Sequence, residues 1–378
     1  MSKIALLSSG HPPLDERIFH KFAAAFNEAG YPVCIINSTT ENHSVINGIT
    51  ISAFDGNKLP LKSKINRFVS ALITASPDLI ICSEPLPALA GYIYKRKFNK
   101  SLRIVQDITE WYPENVVLKL MGLKKYFAYL TLYLFNLLTV SVSTALIIGE
   151  PLKAKRYKRI APAKDKIIIS YYPPLQIVPD NYPVISDTFK IGFTGLLTED
   201  RGIFNVIEVM KKISELKTDR KIVFNIIGKF LDTDTKDKFE RLSASLNINI
   251  KDYTGYYEYI EEISSYNLIL DLREKTFIYN NSLPIKIFEY MALGIPSVYS
   301  DTKSIGFLKN EPPFGFFSDP HDYNNIAQII LNYINNPKLT ESHSLNGKTL
   351  IKEKYNWESE KEKLLLFVQK LLKSENIS

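Results

Sequence analysis

Short apolar runs, each followed by a stretch with helical spacing, recur along this chain from residue 3 to residue 300. Such alternation builds parallel sheets, because a parallel strand can be returned to its starting edge only by a crossover of a dozen or more residues, usually a helix. In the first half the strand-like runs are KIALLSS, PVCIINS, DLIICSE, RIVQDIT, TALIIGE and KIIIS, with helical spacing over residues 16–29 and 62–75. Residues 171–188 interrupt the pattern with Pro173, Pro174, Pro179 and Pro183, residues that cannot donate to a helix or a ladder. The same grammar then restarts with KIGFTG, KIVFNIIG, INIKDYTG, NLILDL and IPSVYS, and with helices expected over 203–216 and 236–246. The pattern predicts an α/β chain of two doubly wound, Rossmann-like domains at 1–172 and 189–356. A linker at 173–188 joins them, and an amphipathic helix over 357–378 closes the chain.

Composition narrows the partners. The chain carries a net charge of +7, which favours anionic surfaces and polyphosphates or serves solubility alone. It has no RNA-recognition aromatic motif, zinc-finger spacing or arginine-rich arm, so nucleic acid is not expected. Cys34 and Cys82 both lie inside strand-like runs, away from any metal-ligand pattern, and the five histidines form no HExxH. No metal is expected, and a reduced, cytoplasmic setting is. The opening MSKIALLSSG enters a strand directly, with none of the features of an export leader. The DxD of Asp232, Thr233 and Asp234 reads as a helix cap rather than a metal–diphosphate motif.

Residues 126–148 contain no charged side chain and match a membrane span in length. They also carry Thr131, Asn136, Thr139, Ser141, Ser143 and Thr144, so a buried helix followed by a buried strand is expected instead. Just before them, residues 115–129 mix Lys119, Lys124 and Lys125 with Leu, Met, Phe and Tyr, the composition of a membrane-surface patch.

The densest local signal is NSLPIKIFEYMALGIPSVYSD, residues 281–301. Pro284 suits a first helical position, Ser282 a cap, and Gly294 with Pro296 a helix stop. Ile287, Phe288 and Met291 share a packing face, while Lys286, Glu289 and Tyr290 share a polar one. The lysine and glutamate form either a surface ion pair or part of a site. Upstream, three strands run into Gly195, Gly228 and Gly255, where bare backbone permits a ligand close to a strand end. Arg201 opens a helix after the first of these glycines, where its charge and the helix N-terminal amides suit an anion.

This segment resembles the "PxKxFEYMAxGxPV" signature of the retaining group 1 glycosyltransferases, family 4, and the resemblance runs over nearly the whole chain. It implies a GT-B fold, in which two Rossmann-like domains face a cleft. It implies transfer of a sugar from a UDP- or GDP-sugar to a hydroxyl acceptor, with no cofactor and no metal. GLLTEDRG resembles "GRLxxxKG", with Leu196 in the arginine position and Arg201 in the lysine position, leaving Lys286 to supply the missing cation. Glu289 matches the second glutamate of the family's pair, which implies ribose binding. The first glutamate's place is taken by Asn281, beside Asn280 and Ser282. The base is expected near Gly228 and Lys229 or over Tyr256. SSGHPPLDERIFHKFAAAF resembles the family's opening, with Gly10 in the loop toward the cleft and Asp15 and Arg17 starting a helix, where both also suit local structure. QDITEWYPE resembles "DxHExYPE", with Thr109 replacing histidine and Asp107 and Glu110 as acceptor-side candidates. The implied acceptor is a glycan or lipid-linked glycan, handled at the inner face of a membrane. A GT-B epimerase and a non-catalytic binding protein are the alternatives.

Overall fold

The computed structural model describes residues 2–118, 120–180, 187–216, 218–253 and 255–373, so Lys119 and part of the expected linker lie outside the described residues. Two compact units divide the chain: Met1–Tyr171 with Trp357–Ser378, and Tyr172–Asn356.

The first unit is built on β1 (Ile4–Ser8), which passes through helix α1 (Glu16–Ala23, continued as Ala24–Glu28) to β2 (Val33–Asn37). β3 (Asn42–Ile46) and β4 (Ile49–Ala53) form a hairpin that the apolar runs did not reveal. Its local signal is Asn47-Gly48, where φ is 51° and 81°, the backbone of a tight hairpin turn. There follow α2 (Leu61–Ala75), β5 (Leu79–Cys82), α3 (Pro85–Lys97), β6 (Arg103–Ile108), α4 (Glu114–Val117), α5 (Gly122–Val142), β7 (Ala145–Ile148), α6 (Pro151–Ile160) and β8 (Asp165–Ile168). The strand order is β3-β4-β2-β1-β5-β6-β7-β8, parallel except for the β3–β4 hairpin.

Both faces of the inner strands are covered, and that is why β1, β2, β5 and β7 are buried along their whole length. Ile4 and Leu6 of β1 face one core with Phe22 and Phe26 of α1, while Ala5 and Leu7 face another with Phe68 and Leu72 of α2. Cys34 and Cys82 are buried free thiols in the second core. The last helix, α14 (Trp357–Lys373), belongs to this unit and seals the first core. Trp357 stacks on Phe22 at 6.2 Å, and Glu360 accepts the Ser170 N–H at 2.8 Å.

Residues 126–148 depart from expectation. The strand half, β7, is buried, but the helix half, α5, buries only Asn136, Thr139 and Val140 and leaves a long apolar side exposed. Absence of charge distinguishes an apolar helix from a polar one but not a buried face from an exposed one. Among the described residues, no helix is long and apolar enough to cross a membrane.

The second unit repeats the plan: β9 (Thr188–Thr194), α7 (Ile203–Ser214), β10 (Lys221–Ile227), α8 (Thr233–Ser243), β11 (Ile248–Lys251), α9 (Tyr256–Ser264), β12 (Leu268–Asp271), α10 (Phe277–Asn281), α11 (Ile285–Leu293), β13 (Ser297–Ser300), β14 (Gly315–Ser318), α12 (Tyr323–Asn335) and α13 (Pro337–Glu353). Its all-parallel strand order is β11-β10-β9-β12-β13-β14. Asp232 caps α8 by accepting the Thr235 N–H at 2.7 Å. Gly294 stops α11 in the left-handed conformation (φ 69°), with its N–H on Met291 O and that of Ile295 on Tyr290 O, a pair that satisfies the last carbonyls. Ser282 does not cap α11. It is extended, terminates α10, and gives its N–H to Ile278 O at 2.7 Å.

Leu364 of α14 is fully buried. Leu364→Ala is expected to lower unfolding stability by about 2–5 kcal/mol, the usual cost of a cavity in a closed core. Urea titration checks this, and a cost under about 1 kcal/mol would mean that the helix contributes little to the unit's core.

Candidate functional site

In an open parallel sheet a crevice forms outside the strand C-termini where the strand order reverses. In the second unit that point lies between β9 and β12. The chain leaves β9 through Gly195, with φ at +135°, and β10 leads into Gly228. A Cβ on Gly228 would lie 1.8 Å from Gly195 O, so the two backbones touch as only glycine allows. Above them opens a cavity of about 570 Å³ walled by Leu196, Arg201, Lys229, Asp252, Tyr253 and Lys286.

Lys286 sits in the first turn of α11, where the helix dipole disfavours a cation. Its ammonium donates to Thr194 Oγ1 at 3.0 Å and lies 4.9 Å from the Tyr259 ring centroid. Thr194 Oγ1 also contacts the hydroxyls of Tyr290 at 2.6 Å and Tyr259 at 3.2 Å. Burial pulls the Lys286 pKa down to about 8, and Arg201 and Arg273 push the same way against Glu289. Glu289 is only 7% exposed. Lys286 and Glu289 are therefore not a solvated surface ion pair.

Two guanidinium groups share one aromatic ring beside this lysine. Arg201 and Arg273 each lie 5.3 Å from the Tyr279 centroid, and the Tyr279 hydroxyl is held by Asp200 Oδ2 at 3.1 Å. Arg273 is oriented by both oxygens of Asp271, with Nε–Oδ1 at 2.6 Å. The sequence reading missed Arg273. Its one signal is position, two residues beyond the strand that borders the reversal point.

The other expected donor-side residues are more dispersed. Asn281 Nδ2 is engaged by Phe277 O at 2.7 Å within α10, and neither Asn281 nor Ser282 lines the cavity. Tyr256, expected under the base, packs against the core around Tyr259 and Ile263, while Tyr253, 55% exposed, stands on the cavity wall.

The first unit has its own reversal point, between β1 and β5. Gly10 lies in the loop after β1, which Glu84 ties down: Oε1 accepts from Ser8 Oγ and Gly10 N, both at 3.0 Å, and Oε2 from Ser9 N at 2.7 Å. His11 Nδ1 is 3.3 Å from Asp15 Oδ2, and this hydrogen bond raises the imidazole pKa above its ordinary value. Asp15 also caps α1. A cavity of about 280 Å³ opens here, with His11, Glu84, Asp107, Thr109, Glu110 and Phe135 on its wall. Gln106 Oε1 and Asn115 Oδ1 are buried at the same wall and meet no hydrogen-bond partner among the described residues, so they stand ready to accept from a hydroxyl-bearing guest.

Asp107 is not a free carboxylate. It holds Arg17 through Nε at 2.7 Å and Nη2 at 2.8 Å, and the guanidinium is sandwiched between the Phe22 and Tyr171 rings at 4.5 and 4.3 Å. Arg17 thus pairs with a strand 90 residues away, not with a helical neighbour. The Thr109 carbonyl accepts from Lys153.

The two doubly wound units are those of the GT-B fold, which the chain shares over nearly its full length with solved glycosyltransferases. Sucrose-phosphate synthase from Thermosynechococcus elongatus superposes with a TM-score of 0.79 at 15% identity, covering 98% of this chain and 99% of that one. Anabaena HepE, solved with UDP-glucose, gives 0.70 at 14% identity over 98% and 100%. Residues 179–350 match the family model described as glycosyl transferases group 1. The capsular polysaccharide biosynthesis glycosyltransferase CapM of Staphylococcus aureus is 24% identical over 247 residues, which span 61% of this chain and 63% of CapM.

Asp107→Asn removes the counter-charge of a buried guanidinium and is expected to cost about 3–5 kcal/mol of unfolding stability. Chemical denaturation checks this. An unchanged midpoint would show that Asp107 is not a structural partner of Arg17.

Proposed function

We propose that this chain is a retaining, metal-independent glycosyltransferase that moves a sugar from a nucleoside diphosphate sugar to a hydroxyl acceptor in cell-surface polysaccharide or glycolipid assembly. Arg201 and Lys286, brought to one cavity wall beside the Gly195–Gly228 contact, carry the reading, with Arg273 behind them at the shared Tyr279 ring and held by Asp271. Negative charge grows on the departing diphosphate as the bond from sugar C1 to the β-phosphate oxygen breaks. Cations placed beforehand in a partly dry site stabilise that charge more than they stabilise the ground state. The acceptor oxygen bonds C1 on the same face, and its proton passes to the leaving phosphate. No protein base is then required, consistent with Thr109 in place of histidine.

Glu289 is assigned to the ribose hydroxyls and Tyr253 to the base. The first unit's cavity, with Gln106 and Asn115 on its wall, is assigned to the acceptor. HepE, solved with UDP-glucose, supports a uridine donor, and CapM supports a polysaccharide product. The enzyme is placed at the cytoplasmic face of a membrane.

Titration calorimetry with UDP, GDP and their sugars tests the donor site. One nucleotide is expected to bind, and Lys286→Gln is expected to weaken it about 10–100-fold, the range for a lost charge-assisted contact. No binding by any nucleotide would overturn the assignment, and binding without turnover across a wide acceptor set would favour a non-catalytic protein.

The pH dependence has a defined sign. The cationic form of Lys286 attracts diphosphate, so affinity is full below the free-protein pKa of about 8 and falls as pH rises through it. Arg201 and Arg273 remain charged, so the loss is partial. The Lys286→Gln profile between pH 7 and 9.5 should be flat, a range chosen around the value of about 8. A wild-type profile equally flat would remove Lys286 from diphosphate binding.

A further inference from the structure

Exposed apolar side chains are normal when scattered and informative when gathered. Of the 22 large hydrophobic residues that stand exposed among the described residues, ten fall between positions 116 and 138. Met121 is 86% exposed, Leu123 76%, Tyr126 73% and Phe127 72%. Along α5, Leu123, Phe127, Leu130, Leu134 and Leu138 follow one another at steps of four, three, four and four. That spacing sets them in a single stripe.

The opposite side of the helix is fixed to the unit. Asn136 Nδ2 donates to the Tyr157 hydroxyl at 3.1 Å, Thr139 and Val140 are buried, and the Arg156 guanidinium lies 5.8 Å from the Tyr133 centroid. The stripe is therefore presented by a body that cannot turn it inward. A helix of 21 residues is about 31 Å long at 1.5 Å per residue, enough for one extended contact along its length.

Charge identifies what fits against it. No acidic residue occurs from position 115 to position 149, and the charged side chains of α5 are Lys124 and Lys125, both exposed. α6, packed beside α5, adds exposed Lys155, Lys158 and Arg159. Glu114 is held by Arg156 at 2.9 Å and Glu150 by Lys153 at 3.2 Å. An apolar stripe flanked by lysines and bare of acids matches the interface of an anionic bilayer, with acyl chains under the stripe and headgroups at the lysines.

We propose that the exposed side of α5 lies in the plane of an anionic lipid surface and seats the first unit on it. Val116 belongs both to this exposed surface and to the wall of the first unit's cavity. A hydroxyl acceptor anchored in that bilayer thus reaches the cavity along a continuous apolar path. This acceptor assignment rests on the glycosyl-transfer reading; the lipid contact does not.

The full-length chain is sedimented with vesicles of equimolar phosphatidylcholine and phosphatidylglycerol, and with phosphatidylcholine alone. Binding is expected to the first and to be much weaker to the second. Phe127→Asp with Leu130→Asp should abolish it. Lys124→Gln with Lys125→Gln should reduce it about five-fold per lysine, the equivalent of ~1 kcal/mol for each basic residue near an anionic surface. All four positions are exposed, and retention of UDP-induced thermal stabilisation by each variant would show that the chain still folds and binds donor. Failure of the wild type to bind, or binding that survives the Asp substitutions, overturns the proposal. Concentration-dependent self-association lost in the Asp variant, without vesicle binding, would instead identify a second copy as the occupant. A donor assay that fails while vesicle binding holds would leave the lipid contact intact and overturn only the transferase reading.

Discussion

Every feature of both units depends on the constraint that parallel strands impose on the chain between them. Each strand of β9, β10, β12 and β13 ends on the same side because its return is made by a separate segment, so all the connecting turns that follow them collect at one edge. Where β9 is flanked by β10 on one side and β12 on the other, successive connections diverge and leave a gap. Gly195 and Arg273 are exits from the two strands that border it. Lys286 arrives from α11, packed against the same edge. The first unit meets the same condition at β1 and β5, and there the gap is lined by Gly10, His11 and Glu84.

Each gap has a largely buried guanidinium paired with a strand carboxylate, Arg17 with Asp107 and Arg273 with Asp271, and they differ in the lysine that the second one adds. In the first unit Arg17 is held by Nε and Nη2 on Asp107 and by two aromatic faces, and its remaining Nη1 is buried without a hydrogen-bond partner among the described residues. Such a pair holds α1 to β6, and its loss would strand a charge in the core. In the second unit Lys286 is neutralised incompletely, since its direct hydrogen-bond acceptor is the hydroxyl of Thr194 and two guanidinium groups press on it. An arrangement that depresses a lysine is unfavourable for the free protein and becomes favourable once an anion enters. Strain of that kind is a signature of a binding site rather than of a stabilising network.

The fold was largely legible in the sequence because apolar runs mark strands, most plainly where both faces are covered, and the eleven runs each coincide with a strand, the more exposed edge strands β8 and β11 included. The hairpin β3–β4 escaped because β3 alternates buried and exposed side chains at a sheet edge, although Asn47-Gly48 marked it. Lys286, Glu289, Gly195 and Gly228 were legible because their local patterns are tight. Arg273 and Tyr253 were not, since each is one polar residue in a loop and acquires meaning only from the strand that it follows. The exposed stripe of α5 was misread for a related reason: hydrophobic content does not say which way a helix faces.

Sequence alone therefore determined the alternation of strand and helix, the break at residues 171–188, the stops on α11 and the chemistry available to a diphosphate. These follow from local rules of dihedral angle, hydrogen bonding and periodicity. Tertiary structure decided that Arg17 is bound to Asp107 rather than to a neighbour, that Lys286 and Arg201 share one cavity wall, and that α5 turns its leucines outward. Those outcomes depend on strand order and on which surfaces remain uncovered, both set by contacts between residues far apart in the chain.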